Sequence, residues 1–165
     1  TLEQAEATPP TVKHIYTNYM FHGPAFQGIT GLSALGIDGI VGSLAPSAPA
    51  ECLQTPGATE WVIDPILFDS AMQLAGVWAR HYLDITVLPT GFKALHYFKA
   101  PLGTTFTGRV FIPPDTGKTE LLCDLAIYNE QNQLVMVVEG LGGIGNKSLN
   151  RFASQPKALR SGSSQ

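Results

Sequence analysis

The chain has 165 residues, a net charge of −3, 44% apolar residues and only 14% charged ones. That is the size of one domain, large enough for a real core and too apolar for a disordered chain. Lysine and arginine are few and scattered, which excludes the basic footprint of a nucleic-acid binder, and no apolar run approaches the ~18–20 residues of a membrane span.

The two cysteines, Cys52 and Cys123, have no spacing partners, so neither a disulfide framework nor a zinc site is expected. A reducing, cytoplasmic setting follows, and no secretory leader is read at the start. The first residue is Thr1 rather than Met, so the sequence is read as cut from something longer.

In chain order, residues 1–10 are small and polar and end in Pro9-Pro10, a loose leader. Val12 to Phe21 suits one or two helical turns, stopped by Gly23-Pro24. Ile29–Leu35 and Ile40–Ala45 alternate about Gly36-Ile37-Asp38-Gly39, a hairpin pattern. Pro46 to Gly57 is rich in Ala, Ser, Pro and Gly and reads as a loop. Asp64-Pro65 then opens a helix, with Asp as N-cap and Pro in the first turn. That helix is apolar on nearly every side and slim at Ala71, Ala75, Gly76 and Ala79. It reads as a buried helix over about 64–83.

Four strand-like stretches follow, Gly91–Ala100, Thr105–Pro113, Thr119–Asn129 and Gln133–Leu141, joined by turn compositions. Leu88-Pro89-Thr90-Gly91-Phe92, which connects the helix to the first of them, reads by itself as a loop. Two strands, one buried helix and four strands predict an α+β fold, an antiparallel sheet curled round a central helix. The domain is expected over 11–147, with a disordered tail over 148–165.

Asp69 and Gln73 lie four apart and share a helix face. On an apolar helix a carboxyl is costly unless paired or used. Burial disfavours its charged form, and a carboxyl kept neutral can give a proton to a leaving group. Gln73 could hold that acid or a water. A solvated Asp near the helix start, favourable to the dipole, fits the spacing equally well. His22-Gly23-Pro24-Ala25-Phe26-Gln27-Gly28 is a rigid turn followed by an aromatic anchor, and on its own favours a packing role. The phosphate loop, His-Glu-x-x-His, Cys-x-x-Cys and Gly-x-Ser-x-Gly patterns are all missing.

Taken in order, these pieces resemble the second half of the dehydratase domain of modular polyketide synthases and animal-type fatty-acid synthases. That family carries Tyr-Gly-Pro-x-Phe-Gln, here His22-Gly23-Pro24-Ala25-Phe26-Gln27. It carries a helix reading Pro-x-Leu-x-Asp-x-x-x-Gln, here Pro65 to Gln73, then Leu-Pro, here Leu88-Pro89. A late strand pair ends in Glu-Gly-Leu, here Glu139-Gly140-Leu141. The resemblance spans Tyr16 to Ile144.

It implies a hotdog fold, a long helix wrapped by an antiparallel sheet, two of which make the family's working unit. It further implies a 3-hydroxyacyl thioester carried on the phosphopantetheine of an acyl carrier protein, with no tightly bound cofactor. A His in the first hotdog takes the α-proton, and an Asp on the second hotdog's helix protonates the departing hydroxyl. Asp69 is then the acid and Gln73 its orienting partner. His22, Gly23, Pro24, Phe26, Leu88 and Pro89 are the candidate substrate contacts, and Phe68, Met72, Trp78 and Phe92, with Phe26, candidate tunnel lining.

The first-half signature, His-x-x-x-Gly with a following Pro, is not found around any of the four histidines. The base is therefore expected from another hotdog unit, upstream in the same synthase or in a second copy. His22 stands where the family has Tyr. Either it is a tolerated swap at a supporting position or it has taken over a base role. A non-catalytic hotdog that binds acyl chains, or a related cyclase or double-bond isomerase, are the alternatives.

Overall fold

The computed structural model describes residues 2, 5–53, 61–98 and 103–153. Its centre is the helix Pro65–Tyr82. Asp64 caps it as expected, one carboxylate oxygen accepting from the N–H groups of Ile66 (2.9 Å) and Leu67 (3.1 Å). The same carboxylate accepts from Ser47 Oγ (2.7 Å), which ties the preceding loop to the helix start. At the other end Leu83 N donates to Ala79 O, and Asp84 turns the chain with a left-handed φ of 52°. Arg80 and His81 occupy the last turn, where the helix dipole favours positive charge.

Seven strands wrap this helix: β1 Ile29–Gly36, β2 Gly39–Leu44, β3 Thr86–Gly91, β4 Ala94–Tyr97, β5 Phe106–Phe111, β6 Glu120–Tyr128 and β7 Leu134–Asn146. They form one sheet in the order β1-β2-β5-β6-β7-β3, with β4 paired beside β3 along the same strand, β7. Every pairing is antiparallel. The α+β hotdog expectation therefore holds.

The hairpin of β1 and β2 turns at Ile37-Asp38. Gly39, at φ +158°, has no room for a side chain, since a Cβ there would lie 2.2 Å from the carbonyl oxygen of Val110. The helix rests on β2 and β5 through Leu74, whose methyls reach within 2.8 Å of where a Cβ on Gly42 would stand and 2.7 Å of one on Gly108. Truncating a side chain so enclosed costs about 2–5 kcal/mol. Trp78 is fully packed, and its indole N–H donates to Gly36 O (3.0 Å).

Several boundaries differ from the sequence reading. Leu88 to Gly91 is not a connecting loop but the last four of the six residues of β3. The expected strand Gly91–Ala100 is only Ala94–Tyr97, and residues 99–102 lie outside the described residues. Strand β7 runs past its expected end at Leu141 to Asn146, through Gly142, Gly143 and Gly145. Gly143 and Gly145 leave room for the side chains of Val87 and Ile85. A Cβ on Gly143 would stand 2.4 Å from Val87 Cγ1, and one on Gly145 2.5 Å from Ile85 Cδ1.

The tail expected to be disordered from 148 begins instead as a 3-10 turn, Lys147–Phe152, capped by Asn146. Thr86 Oγ1 bonds Asn150 Oδ1 there (2.9 Å), and Ala153 is buried. Residues 154–165 lie outside the described residues, as do Thr1, Glu3 and Gln4 of the leader. The leader is also held at Glu6, whose N–H donates to Leu35 O (2.7 Å) and whose carboxylate meets His81 Nε2 (2.7 Å). No helix among the described residues is long and apolar enough to cross a membrane.

Candidate active site

The site forms where the central helix passes the turn that precedes β1. Pro24–Phe26 makes a single 3-10 turn behind Gly23. Gly28 then lets the chain pass against the helix, where a Cβ would collide with Ser70 Oγ at 2.2 Å. This close crossing brings the carbonyl of Phe26 to Gln73, which is buried although polar. The Gln73 amide nitrogen donates to Phe26 O (2.8 Å) and to Asp69 Oδ2 (2.7 Å). Its oxygen accepts from Tyr16 OH (3.0 Å), and that hydroxyl in turn accepts from Ile29 N (2.8 Å).

The side chain of Gln73 is therefore fixed on three sides, and it fixes Asp69. Burial pushes the Tyr16 hydroxyl up to about 12, the Ile29 N–H bond opposing that rise and the Asp69 charge adding to it. Tyr16 thus stays a neutral donor across the ordinary pH range.

Asp69 is half-buried, its side chain 29% exposed. His22 Nε2 stands 3.5 Å from its Oδ2, with the His22 side chain 18% exposed. The imidazole stacks on Phe21, ring centroids 4.6 Å apart and planes 17° from parallel. The His22 carbonyl accepts from Gln27 Nε2 (3.0 Å).

Both side chains face a cleft open to solvent, whose remaining walls are mostly apolar: Met20, Met72, Gly76, Val87, Leu121 and Leu141. His22 and Asp69 are the titratable groups of that lining. A cleft with apolar walls and a few converging polar groups is the usual form of a small-molecule site. No cluster of three or more His, Cys, Asp or Glu suited to a metal occurs among the described residues.

Of the residues singled out in the sequence, Asp69, Gln73, His22, Pro89 and Met72 line this cleft. Gly23, Pro24, Phe26 and Leu88 do not. Gly23 and Pro24 shape the turn, Phe26 contributes its carbonyl, and the side chains of Phe26 and Leu88 are exposed. Among the tunnel candidates, Trp78 belongs to the core, and Phe68 meets Phe92 edge to face at 6.4 Å away from the lining. An aromatic on a helix is more often packed than presented, and here packing accounts for both.

The sequence reading missed Tyr16, whose role depends on a contact 57 residues away. It also missed the lining by Met20 and by Leu141 to Gly143. A tyrosine in a short helical turn carries no signal of such a role.

Comparison with solved structures places this geometry in a known fold. The dehydratase domain from the CurK module of the curacin polyketide synthase is 23% identical at a TM-score of 0.65, over 87% of this chain and 49% of that one. Of that CurK domain, a variant with a histidine replaced by phenylalanine and another with an aspartate replaced by asparagine are inactive mutants. The dehydratase domain of RzxB from Pseudomonas fluorescens is 18% identical at a TM-score of 0.61, over 81% of this chain and 48% of that one. An enoyl-isomerase of a trans-acyltransferase polyketide synthase is 19% identical at 0.55, over 73% of this chain and 46% of that one.

This chain therefore spans about half the length of the structures it matches. No curated protein matches it. The family model for the polyketide synthase dehydratase N-terminal domain matches residues 2–142. With that match over most of its length, on a hotdog fold, the chain belongs to the polyketide synthase dehydratase family.

Proposed function

We propose that this chain is the aspartate-bearing hotdog of a dehydratase that removes water from 3-hydroxyacyl thioesters during polyketide or fatty-acid synthesis. Asp69 is the acid that protonates the departing hydroxyl, and Gln73 aims it. The observation that carries this reading is the Asp69 carboxylate facing an apolar cleft while Gln73, held by Phe26 O and Tyr16, fixes one of its oxygens. A positioned acid is worth ~10²–10⁴-fold in rate.

The family description names an N-terminal domain. Assignment to the second hotdog rests instead on the position of the aspartate on the central helix and on the motif order from Tyr16 to Ile144. The base then comes from a second hotdog unit. The substrate comes on the phosphopantetheine of an acyl carrier protein, in the cytoplasm, with no tightly bound cofactor. The two inactive CurK mutants, one at a histidine and one at an aspartate, support a reaction that needs both residue types.

The test is reconstitution with the upstream hotdog and a 3-hydroxyacyl pantetheine thioester, followed by mass spectrometry for loss of water. The wild-type pair should form the alkene, and Asp69→Asn should abolish it. Wild-type turnover by that variant would reject the reading. The enoyl-isomerase match favours a second one, double-bond migration on the same thioester class. Offering an enoyl thioester and following the position of the double bond separates the two.

A further inference from the structure

We propose that His22 is the proton-supplying partner of Asp69, so that this one hotdog holds both the acid and its proton source. The proposal rests on the dehydratase reading above and deepens it. His22 Nε2 faces Asp69 Oδ2 at 3.5 Å, longer than a formed hydrogen bond and one small side-chain shift from making it. The ring is not loose: it stacks on Phe21, and Gln27 holds its backbone.

The acid has to hold a proton when the substrate is bound. Carboxyls ordinarily release theirs near pH 3.9, whereas imidazole does so near 6.5 and can store a proton close to neutrality. A thioester lying in the cleft covers the solvent-facing side of Asp69, leaving His22 as the titratable neighbour within the lining. The other groups facing this pair are Gln73 on the helix, which does not titrate, and Tyr16, a neutral donor. The strands closing the cleft present Thr86, Val87, Pro89, Leu121 and Leu141, none of which titrates.

The Nε2–H of the imidazolium passes to the Asp69 carboxylate, and the carboxylic acid then protonates the β-hydroxyl, which leaves as water. The α-proton goes to the base of the partner hotdog and from there to solvent. His22 ends neutral and regains its proton from solvent through its exposed edge. Turnover should accordingly fall as pH rises through the His22 titration.

Two measurements test this, and the first needs no activity. The His22 ring signals of the full chain are titrated by NMR, in wild type and in Asp69→Asn. Loss of the facing carboxylate should lower the His22 midpoint by about one pH unit or more. An unchanged midpoint overturns the proposal, whatever the chain catalyses. The second compares wild type, His22→Gln and His22→Tyr in the reconstituted reaction across pH 5 to 9. His22→Gln should lower kcat at least tenfold with KM little changed and should flatten the falling alkaline limb. His22→Tyr, which restores the family's residue, should keep more activity than Gln but without that limb. If His22→Gln raises only KM, or leaves the shape of the profile intact, His22 merely packs and the proposal fails. If wild type itself releases no water, the dehydratase reading fails, and the NMR arm still decides the coupling of the pair.

Discussion

Among the described residues there are three histidine–carboxylate pairs, and they differ in everything except their chemistry. His22–Asp69 is the longest contact, 3.5 Å, and faces the cleft. His81–Glu6 is shorter, 2.7 Å, with Tyr19 OH on the other ring nitrogen (3.3 Å), and it pins the leader to the last turn of the helix. His96–Glu139 is 3.2 Å and lies half-exposed across β4 and β7. Contact length therefore does not single out the pair at the cleft. What separates the first pair is its surroundings: an apolar cleft beside it and Gln73 holding its carboxylate. The other two are tethers: His81–Glu6 is partly buried and ties two segments together, and His96–Glu139 lies on the surface, where an ion pair is worth about 0–1 kcal/mol.

The largest effect that would break this contrast is at Asp69. Asp69→Asn keeps the shape and removes the transferable proton, so turnover in the reconstituted reaction should fall ~10²–10⁴-fold with unchanged thermal stability. Next comes Gln73→Leu, which fills similar space but leaves Tyr16 OH and Phe26 O without their partner. It should cost about 1–3 kcal/mol in denaturant titrations, and roughly tenfold or more in turnover, because Asp69 loses its anchor.

Tyr16→Phe sits one step further from the chemistry. It orphans the Ile29 N–H and should cost ~1–3 kcal/mol while leaving Asp69 in place. It also has a pH signature. In the folded chain burial holds the Tyr16 hydroxyl near 12, above its ordinary value of 10.0, so folding favours the neutral phenol. That contribution is fully present below pH 10 and is lost as pH rises toward 12. Stability measured across that window should decline in wild type, and the part due to Tyr16 should be missing in the Phe variant. The smallest effects belong to the tethers. His81→Gln should cost less than ~1 kcal/mol, and His96→Gln should fall within ~0.5 kcal/mol, with turnover unchanged in both. A large activity loss in either would show that the surroundings of a pair do not decide its role.

Much of the fold was legible because it is written in local pattern. Asp64-Pro65 marks the helix start, Gly36 to Gly39 the hairpin, and the alternation of Leu121, Cys123 and Leu125 with Leu122 and Asp124 the face of β6. Asp69 and Gln73 were legible for the same reason, four apart on one helix.

What stayed hidden depends on contacts between distant segments. Leu88 to Gly91 reads as a loop because Pro and Gly break strands, yet β3 is an edge strand, where Pro is tolerated. The glycines of β7 read as breakers until the side chains of Ile85 and Val87 are seen to need their space. The function of Tyr16, and the meeting of His22 with Asp69, exist only once the first turn is folded onto the helix.

The sheet order carries a consequence for how this chain assembles. β1 and β2 meet through a tight turn, and β6 and β7 through a short one, so both hairpins can form early. The seam between β2 and β5, Leu44 against Phe106 through Gly39 against Phe111, joins segments separated by the whole helix, β3 and β4. Closing so long a loop is entropically slow, and the seam is expected to form last. It is also where Leu74 wedges against Gly42 and Gly108. Adding a methyl at Gly108 should thus accelerate unfolding while leaving the refolding rate nearly untouched, which stopped-flow chevrons would show. The same pairing that completes the wall around the helix would then be the first to open, and the lifetime of the native chain would be set there rather than at the cleft.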